Sequence, residues 1–430
     1  MALTGRFILL ALAGAIPLLL FPSGTTALWW LLLLAAVLGA DLLLAASPRR
    51  VLIRRSLPAS VRLGEDCTAR IELTNTGRRA LRARVRDGWQ PSAGAADPVQ
   101  QLCVPAGERR IMPVRLRPQR RGDLLAHHVA VRSFGPLGMA ARQRTLAAPG
   151  VLRVLPAFHA KRHLPSKLRK LRELDGKAAV QIRGAGTEFD SLRDYVRGDD
   201  VRSIDWRATA RRQTVVVRTW RPERDRRVVI VLDTSRTSAA RIEDEPRLDT
   251  GIEAALLLAV LAEHGGDRVD FLAFDRRVRA RVKSSDKSNM LNQLVTAMAP
   301  LDSELIETDW SQVPAQVRAV ASHRSLVVLL TALDSGAAEE GLLPVLAQLT
   351  AKHMVVVASV RDPYLDELRQ MRGTATETFR AAAAERALLE RSAVTAAIRQ
   401  LGAEVVDATP HELPPALADK YIQLKAAGRL

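Results

Sequence analysis

Only two cysteines, Cys67 and Cys103, occur in 430 residues, and aromatic residues make up 4% of the chain. Two thiols cannot build a disulfide-rich scaffold, and no Cys/His spacing matches a structural zinc site. No Gly-Lys-Ser/Thr follows Gly184 and Gly186, so these glycines do not form a phosphate loop. His159 and His163 stand four apart, but the sequence lacks the His-Glu-x-x-His arrangement of a metalloprotease. No serine or cysteine is placed with a recognisable base and orienting acid. The shortage of aromatics for base stacking, and the lack of a helix-turn-helix or RNA-binding signature, argue against nucleic acid as a partner. Without a catalytic motif, the expectation is a protein that is not an enzyme.

What the chain does have is apolar length at its start and positive charge after it. Residues 7–21 carry no charge, and residues 27–46 are interrupted only by Asp41. Twenty residues cover about 30 Å as a helix, the thickness of a hydrocarbon core; the first run is shorter and contains Gly14 and Pro17. The connector 22–26 is uncharged, whereas Arg6 precedes the pair and Arg49, Arg50, Arg54 and Arg55 follow it. That bias predicts a transmembrane helical hairpin over 1–48, with both ends and the soluble bulk in the cytoplasm. A cleaved signal peptide accounts for the first run but not for the second or its arginines. Asp41, near the end of its run, reads as an interfacial structural group.

Up to Arg224 the chain holds 39 cations and 17 anions, and beyond it 25 and 29, so the basic excess belongs to the first part. Arginines 78, 79, 82, 84 and 86, then 115, 117, 120 and 121, suit a solvated face near anionic lipid better than nucleic acid, because juxtamembrane cations are stabilised there. Across 49–156, polar and apolar residues alternate between turns such as Asn75-Thr76-Gly77, which predicts a small β-sandwich-like domain. Cys67 and Cys103 fall within it, and in a reducing cytoplasm they are expected as free thiols.

Residues 157–224 form a linker followed by a dense charged segment. That segment carries Glu188, Leu192, Arg193, Tyr195, Gly198, Asp199, Asp200, Arg202, Ile204, Trp206, Ala210 and Arg211 in the order Glu, Leu-Arg-x-Tyr, Gly-Asp-Asp, Arg-x-Ile-x-Trp, Ala-Arg. Its alternating signs predict ion pairs rather than a catalytic carboxylate cluster. With these elements the chain resembles domain-of-unknown-function family 58, bacterial proteins of the inner membrane. The resemblance implies a von Willebrand factor A-like domain over 225–430 and partnership with MoxR-type AAA+ ATPases, and the two apolar runs agree with multi-pass anchoring. It implies no known reaction.

The downstream residues themselves point to an α/β domain. Residues 228–232 are an apolar, β-branched run ending at Asp233, and 248–264 has helical spacing that stops at Gly265-Gly266. Further strands are expected at 269–274, 278–282, 326–331, 354–360 and 404–406, with a long amphipathic helix at 376–401. Such alternation predicts a doubly wound, largely parallel sheet, whose ligands sit beyond the carboxyl ends of the strands. The first strand delivers Asp233-Thr234-Ser235-Arg236-Thr237 there, of the form Asp-x-Ser-x-Ser/Thr. One carboxylate with two hydroxyls suits a hard cation such as Mg²⁺. By resemblance to a metal-ion-dependent adhesion site, Thr308 would come from a later loop and a partner's carboxylate would take an open position.

One departure is that Leu330-Thr331-Ala332-Leu333-Asp334 lacks the usual aspartate after the threonine. Asp334 either reaches the site from two residues later or caps the next helix. Arg236 is a second departure, a cation positioned to fill the hole a metal would occupy. Asp233, Ser235 and Thr237 therefore either hold a divalent ion or form a hydrogen-bonded turn. The expected function is a membrane-anchored scaffold that binds an AAA+ ATPase or another protein partner. The alternatives are a metal-assisted hydrolase of the cell envelope using Asp233, Asp334 and a carboxylate of the charged segment, or a basic nucleic-acid binder.

Overall fold

In a computed structural model the description covers residues 2–181, 188–196, 199–221, 226–283, 289–334, 336 and 338–430, by backbone alone at 175–181, 188–191 and 219–221. The chain forms two compact units, Met1–Ala157 and Phe158–Leu430.

In the first unit, the opening apolar run breaks at Gly14 into helices Gly5–Ala13 and Ala15–Leu20. A Cβ on Gly14 would lie 2.0 Å from Trp30 Nε1, so the indole fills the space a side chain would need. The second run forms the helix Gly24–Leu44, begun by Ser23, whose hydroxyl accepts from Thr26 N–H. Its 21 residues rise about 31 Å. Among the described residues this is the one helix long and apolar enough to cross a membrane. Of the two spans expected, this is the one the structure supports; the first run is shorter and interrupted at Gly14.

Residues beyond it build two sheets. Val99–Val104, Leu81–Trp89, Gly122–Phe134 and Ala140–Leu155 run antiparallel in that order, and Ala2–Leu3 and Ser60–Arg62 also pair with the last. Val51–Ser56, Cys67–Asn75, Arg109–Leu116 and Ala95–Ala96 make the other. Leu81, Ala83 and Val85 are buried while Arg82, Arg84 and Arg86 alternate outward, the period of a half-buried strand. Ile71, Met112 and Val114 of one sheet meet Val85, Val129 and Leu152 of the other in one core.

A charged pair is enclosed there. Arg55 donates to both Asp87 oxygens at 3.0 and 2.7 Å and to Ala148 O at 2.9 Å, and Trp89 Nε1 donates to Asp87 Oδ2 at 2.6 Å. The Trp89 ring also lies 5.2 Å from the guanidinium, so the cost of burying both charges is offset by a nearly complete set of partners. Both thiols are free. Burial and then Asp66 push the Cys67 thiol upward in pKa, which keeps it protonated and unreactive.

In the second unit a central sheet contains β1 (Arg227–Asp233), β2 (Arg268–Phe274), β3 (Val278–Val282), β4 (Leu326–Leu330), β5 (Met354–Val360) and β6 (Glu404–Ala408). Their spatial order is β3-β2-β1-β4-β5-β6, parallel except for the antiparallel edge β3. The apolar runs of β1, β4 and β5 are buried throughout because helices cover both faces. Val229, Val231, Val327 and Val355 pack with Val313 and Val317 from helix Val313–Val320, Leu346 from helix Leu343–Thr350 and Val394 from helix Ala375–Gln400. On the other face Gly251 of helix Arg247–His264 approaches so closely that a Cβ would stand 2.9 Å from Leu232 Cδ1.

His353, just before β5, is buried and its Nδ1 has no hydrogen-bond partner. Burial, and next the neighbouring Lys352, hold its pKa below the ordinary value of about 6.5. The unfolded chain therefore takes up this proton before the folded one does. Its contribution to stability is whole above about 6.5 and is lost as the pH falls toward the folded-state value. Thermal unfolding of the full chain between pH 7.5 and 5 should show declining stability, with a shallower decline for His353→Gln. An unchanged slope in that variant would count against the assignment.

Candidate functional site

Between β1 and β4 the chain order of the sheet reverses, and at such a switch point the carboxyl ends of adjacent strands leave a crevice. Asp233 closes β1 and Thr331 directly follows β4, so both stand at this crevice. Asp233 is 3% exposed and Ser235 2%. Thr308 Oγ1 donates to Asp233 Oδ1 and Thr331 Oγ1 to Oδ2, each at 2.7 Å. The amide of Ser235 donates to Oδ1 at 2.9 Å, and Thr237 Oγ1 lies 3.4 Å from Oδ2 and 3.1 Å from Ser235 Oγ. Ser238 Oγ ties down the Asp233 carbonyl at 2.7 Å.

Thr308 reaches the site because its loop is laced to the same sheet edge. Glu304 N–H donates to Thr234 O at 2.8 Å, Arg236 N–H to Ile306 O at 2.9 Å, and Asp309 N–H to Asp275 O at 3.0 Å. Asp275, fully buried after β2, accepts from Thr234 Oγ1 and from the amides of Arg276 and Arg277. Hydrogen bonds from Ser311 and Gln312 hold the Asp309 carboxyl below its usual pKa, so it stays ionised beside Thr308.

Four of the five residues expected from the sequence thus meet: Asp233, Ser235, Thr237 and Thr308. Asp334 is not among them. Its carboxylate faces Arg247 at 3.1 Å, because the helix Arg247–His264 begins beside it and supplies a cation the one-dimensional pattern does not show. Thr331 takes a place at Asp233 that sequence reasoning had not given it; its position after the fourth apolar strand was the available signal. Arg236, the expected occupant of the hole, instead pairs with Glu307. A cavity of about 420 Å³ lies over the cluster, lined among others by Asp233, Thr308, Thr331, Arg236, Glu307 and Glu340.

A hydroxyl that donates its proton to Asp233 keeps its oxygen lone pairs for another ligand. The donor set is one carboxylate and several hydroxyls, all oxygen, which fits a hard divalent cation completed by waters. Among the described residues no group of three or more His, Cys, Asp or Glu side chains is placed to hold a metal. Any cation here would keep a net positive charge and attract a further carboxylate from outside.

The charged segment forms a separate element. Strands Glu188–Asp194 and Val216–Arg221 pair antiparallel, and the helix Trp206–Arg212 lies between them in sequence. Arg193 pairs with Asp199 at 2.6 Å and Arg218 with Asp205 at 2.9 Å, while Asp199 Oδ2 and Asp200 Oδ1 also accept the amides of Val196 and Arg202. A hydrogen bond from the Ala208 amide first, then one from the Arg218 guanidinium, lower the Asp205 pKa, as expected of a helix cap. Tyr195 donates its amide to Val215 O; Trp206 is 68% exposed, and Arg202, Arg207 and Arg211 are exposed with it. Gly184, Gly186, Arg197 and Gly198 lie outside the described residues, and the Glu188 side chain is not described.

The family model "Protein of unknown function DUF58" matches residues 191–400. Over that segment the chain is similar to the DUF58 family. The DUF58 match takes in most of the charged segment and β1 to β5, with Asp233, Thr308 and Thr331. Proteins named "Uncharacterized protein Mb1516" of Mycobacterium bovis and "Uncharacterized protein Rv1480" of Mycobacterium tuberculosis are each 28% identical over 194 residues, 44% of this chain and 60% of theirs. The alignment therefore spans about three fifths of the curated relatives' length. Among solved structures, the PapD-like domain 7 of human CEP192 is matched over 25% of this chain and 87% of that one, at 16% identity and a TM-score of 0.21.

Proposed function

We propose that this protein is a DUF58-type, membrane-anchored, non-enzymatic adaptor whose second unit is a von Willebrand factor A-like domain. Its N-terminal helices would insert as a hairpin in the bacterial inner membrane, with the soluble bulk in the cytoplasm. The site around Asp233 would bind a protein partner, and the family resemblance makes a MoxR-type AAA+ ATPase or its client the first candidate.

The carrying observation is the convergence of Thr308 and Thr331 on the two oxygens of Asp233 at the switch point, beneath a cavity. The sheet order with one antiparallel edge supports the domain reading, and Gly14 against Trp30 supports the hairpin. Mg²⁺ or another divalent cation would be held by Asp233, Ser235, Thr237 and Thr308, supplying positive charge to a partner's carboxylate. With a single carboxylate at the site, the ion would bind weakly alone and more firmly with the partner, since affinity rises with ligand charge.

The test is retention of the candidate ATPase by the full chain in detergent, in millimolar Mg²⁺ and in chelator. Retention should fall at least tenfold in chelator. Retention indifferent to chelator would remove the cation-bridged mechanism.

A further inference from the structure

The first unit gathers arginines at one end of its apolar helix. Arg49 and Arg50 lie in the short turn Pro48–Arg50 just beyond the helix Gly24–Leu44, and Arg78 and Arg79 come from the turn after Asn75. Thr76 binds Arg50 O through both its amide and its hydroxyl at 2.8 Å, and a Cβ on Gly77 would stand 3.7 Å from Arg50 Cβ. Arg79 itself donates to Leu43 O on the helix. The two pairs of arginines are therefore held together.

The turn is built without the help of any carboxylate. Asn75, 2% exposed, donates to Arg79 O at 2.9 Å, Val104 O at 3.0 Å and Pro105 O at 3.2 Å, and accepts from Gly77 N–H at 3.0 Å. All four arginines are exposed, and none pairs with a carboxylate among the described residues. At this end of the helix Leu43 and Leu44 are exposed apolar side chains, and Leu137 is exposed too. Leu137 belongs to a turn whose amide hydrogen-bonds Asp41 of the same helix. Cations without carboxylate partners, together with exposed leucines on the end of a membrane-length helix, have the two chemistries of a headgroup layer: phosphate above and hydrocarbon below.

We infer that Arg49, Arg50, Arg78 and Arg79 form a binding surface for the phosphate headgroups of anionic phospholipids in the leaflet at the carboxyl end of that helix. The inference rests on the anchored reading above, and the two fail in different ways. The full chain is reconstituted in liposomes of equal phosphatidylglycerol and phosphatidylcholine, and lipids retained after extraction are counted by native mass spectrometry. Each arginine near an anionic surface favours it by up to about fivefold, so phosphatidylglycerol should be retained at least tenfold over phosphatidylcholine.

R78Q/R79Q should lose most of that preference. R84Q/R86Q, which changes outward arginines on the sheet, should keep it. Equal retention of both lipids by the wild type, or equal loss in the two variants, overturns the binding surface. Carbonate extraction of the same liposomes reads the anchor separately. Protein that resists carbonate but shows no lipid preference refutes the binding surface alone, whereas protein washed off by carbonate refutes the anchor and the binding surface with it.

Discussion

Asp233→Ala should reduce partner retention to the level seen in chelator and also destabilise the second unit. The side chain is buried and accepts from three groups within 3.0 Å: Ser235 N–H, Thr308 Oγ1 and Thr331 Oγ1. Leaving buried donors without an acceptor costs about 1–3 kcal/mol each. The hydroxyls can rotate toward one another, whereas the amide cannot, so a total of roughly 2–4 kcal/mol is expected. Denaturant midpoints of the full chain read this directly.

Binding and stability are separated by two further variants. Thr308→Val deletes one hydroxyl and keeps the carboxylate, so it should lower retention several-fold at less than half the stability cost of Asp233→Ala. Asp334→Ala breaks a pair with Arg247 that is exposed on the carboxylate side, so it should leave retention unchanged. Retention lost in Asp334→Ala but kept in Asp233→Ala would overturn the placing of the site.

The contrast between Asp233 and Asp334 marks what a sequence makes legible here. β1 reads correctly because a central parallel strand is buried on both faces and needs an unbroken apolar run, Val228 to Leu232, whatever its neighbours are. The residue that ends such a strand must reach the crevice, which is why Asp233 could be named without coordinates. Asp334 sits in a loop, where position is decided by whatever cation arrives from elsewhere. Arg247 arrives from 87 residues away. The pairing of Arg236 was hidden on the same ground, since its partner Glu307 lies in a loop whose path depends on Asp275 and Thr234. Gly14 was visible in the sequence, but the Trp30 indole that leaves no room for a side chain there is a contact between separate runs. Local periodicity reports burial, and only tertiary contacts decide which charged groups meet.

Asp41→Ala should loosen the junction between the apolar helix and the β-region of the first unit. The Asp41 side chain is fully buried. Its Oδ1 accepts Leu137 N–H at 2.8 Å, and its Oδ2 accepts Met139 N–H at 2.7 Å and Ala140 N–H at 2.8 Å. Gly135 lies so close that a Cβ would be 2.1 Å from Asp41 Oδ1, so the turn wraps the carboxylate and no side chain fits at that position. The carboxylate thus has a specific structural partner, the turn at Leu137 to Ala140. Hydrogen bonds to an ionised acceptor are worth about 1.5–3 kcal/mol each. Loss of all three exceeds what one admitted water can recover, so a net cost of roughly 3 kcal/mol or more is expected. Hydrogen exchange of the full chain in nanodiscs should show the amides of Leu137, Met139 and Ala140 protected in the wild type. In Asp41→Ala they should exchange at least a hundredfold faster, with core amides such as Val131 unaffected. Asp41→Asn keeps one acceptor and should fall between the two. Unaltered exchange at all three amides would show that the helix and the turn are held together by something other than this carboxylate, and the anchor would then be free to pivot about Ala45 and Ala46.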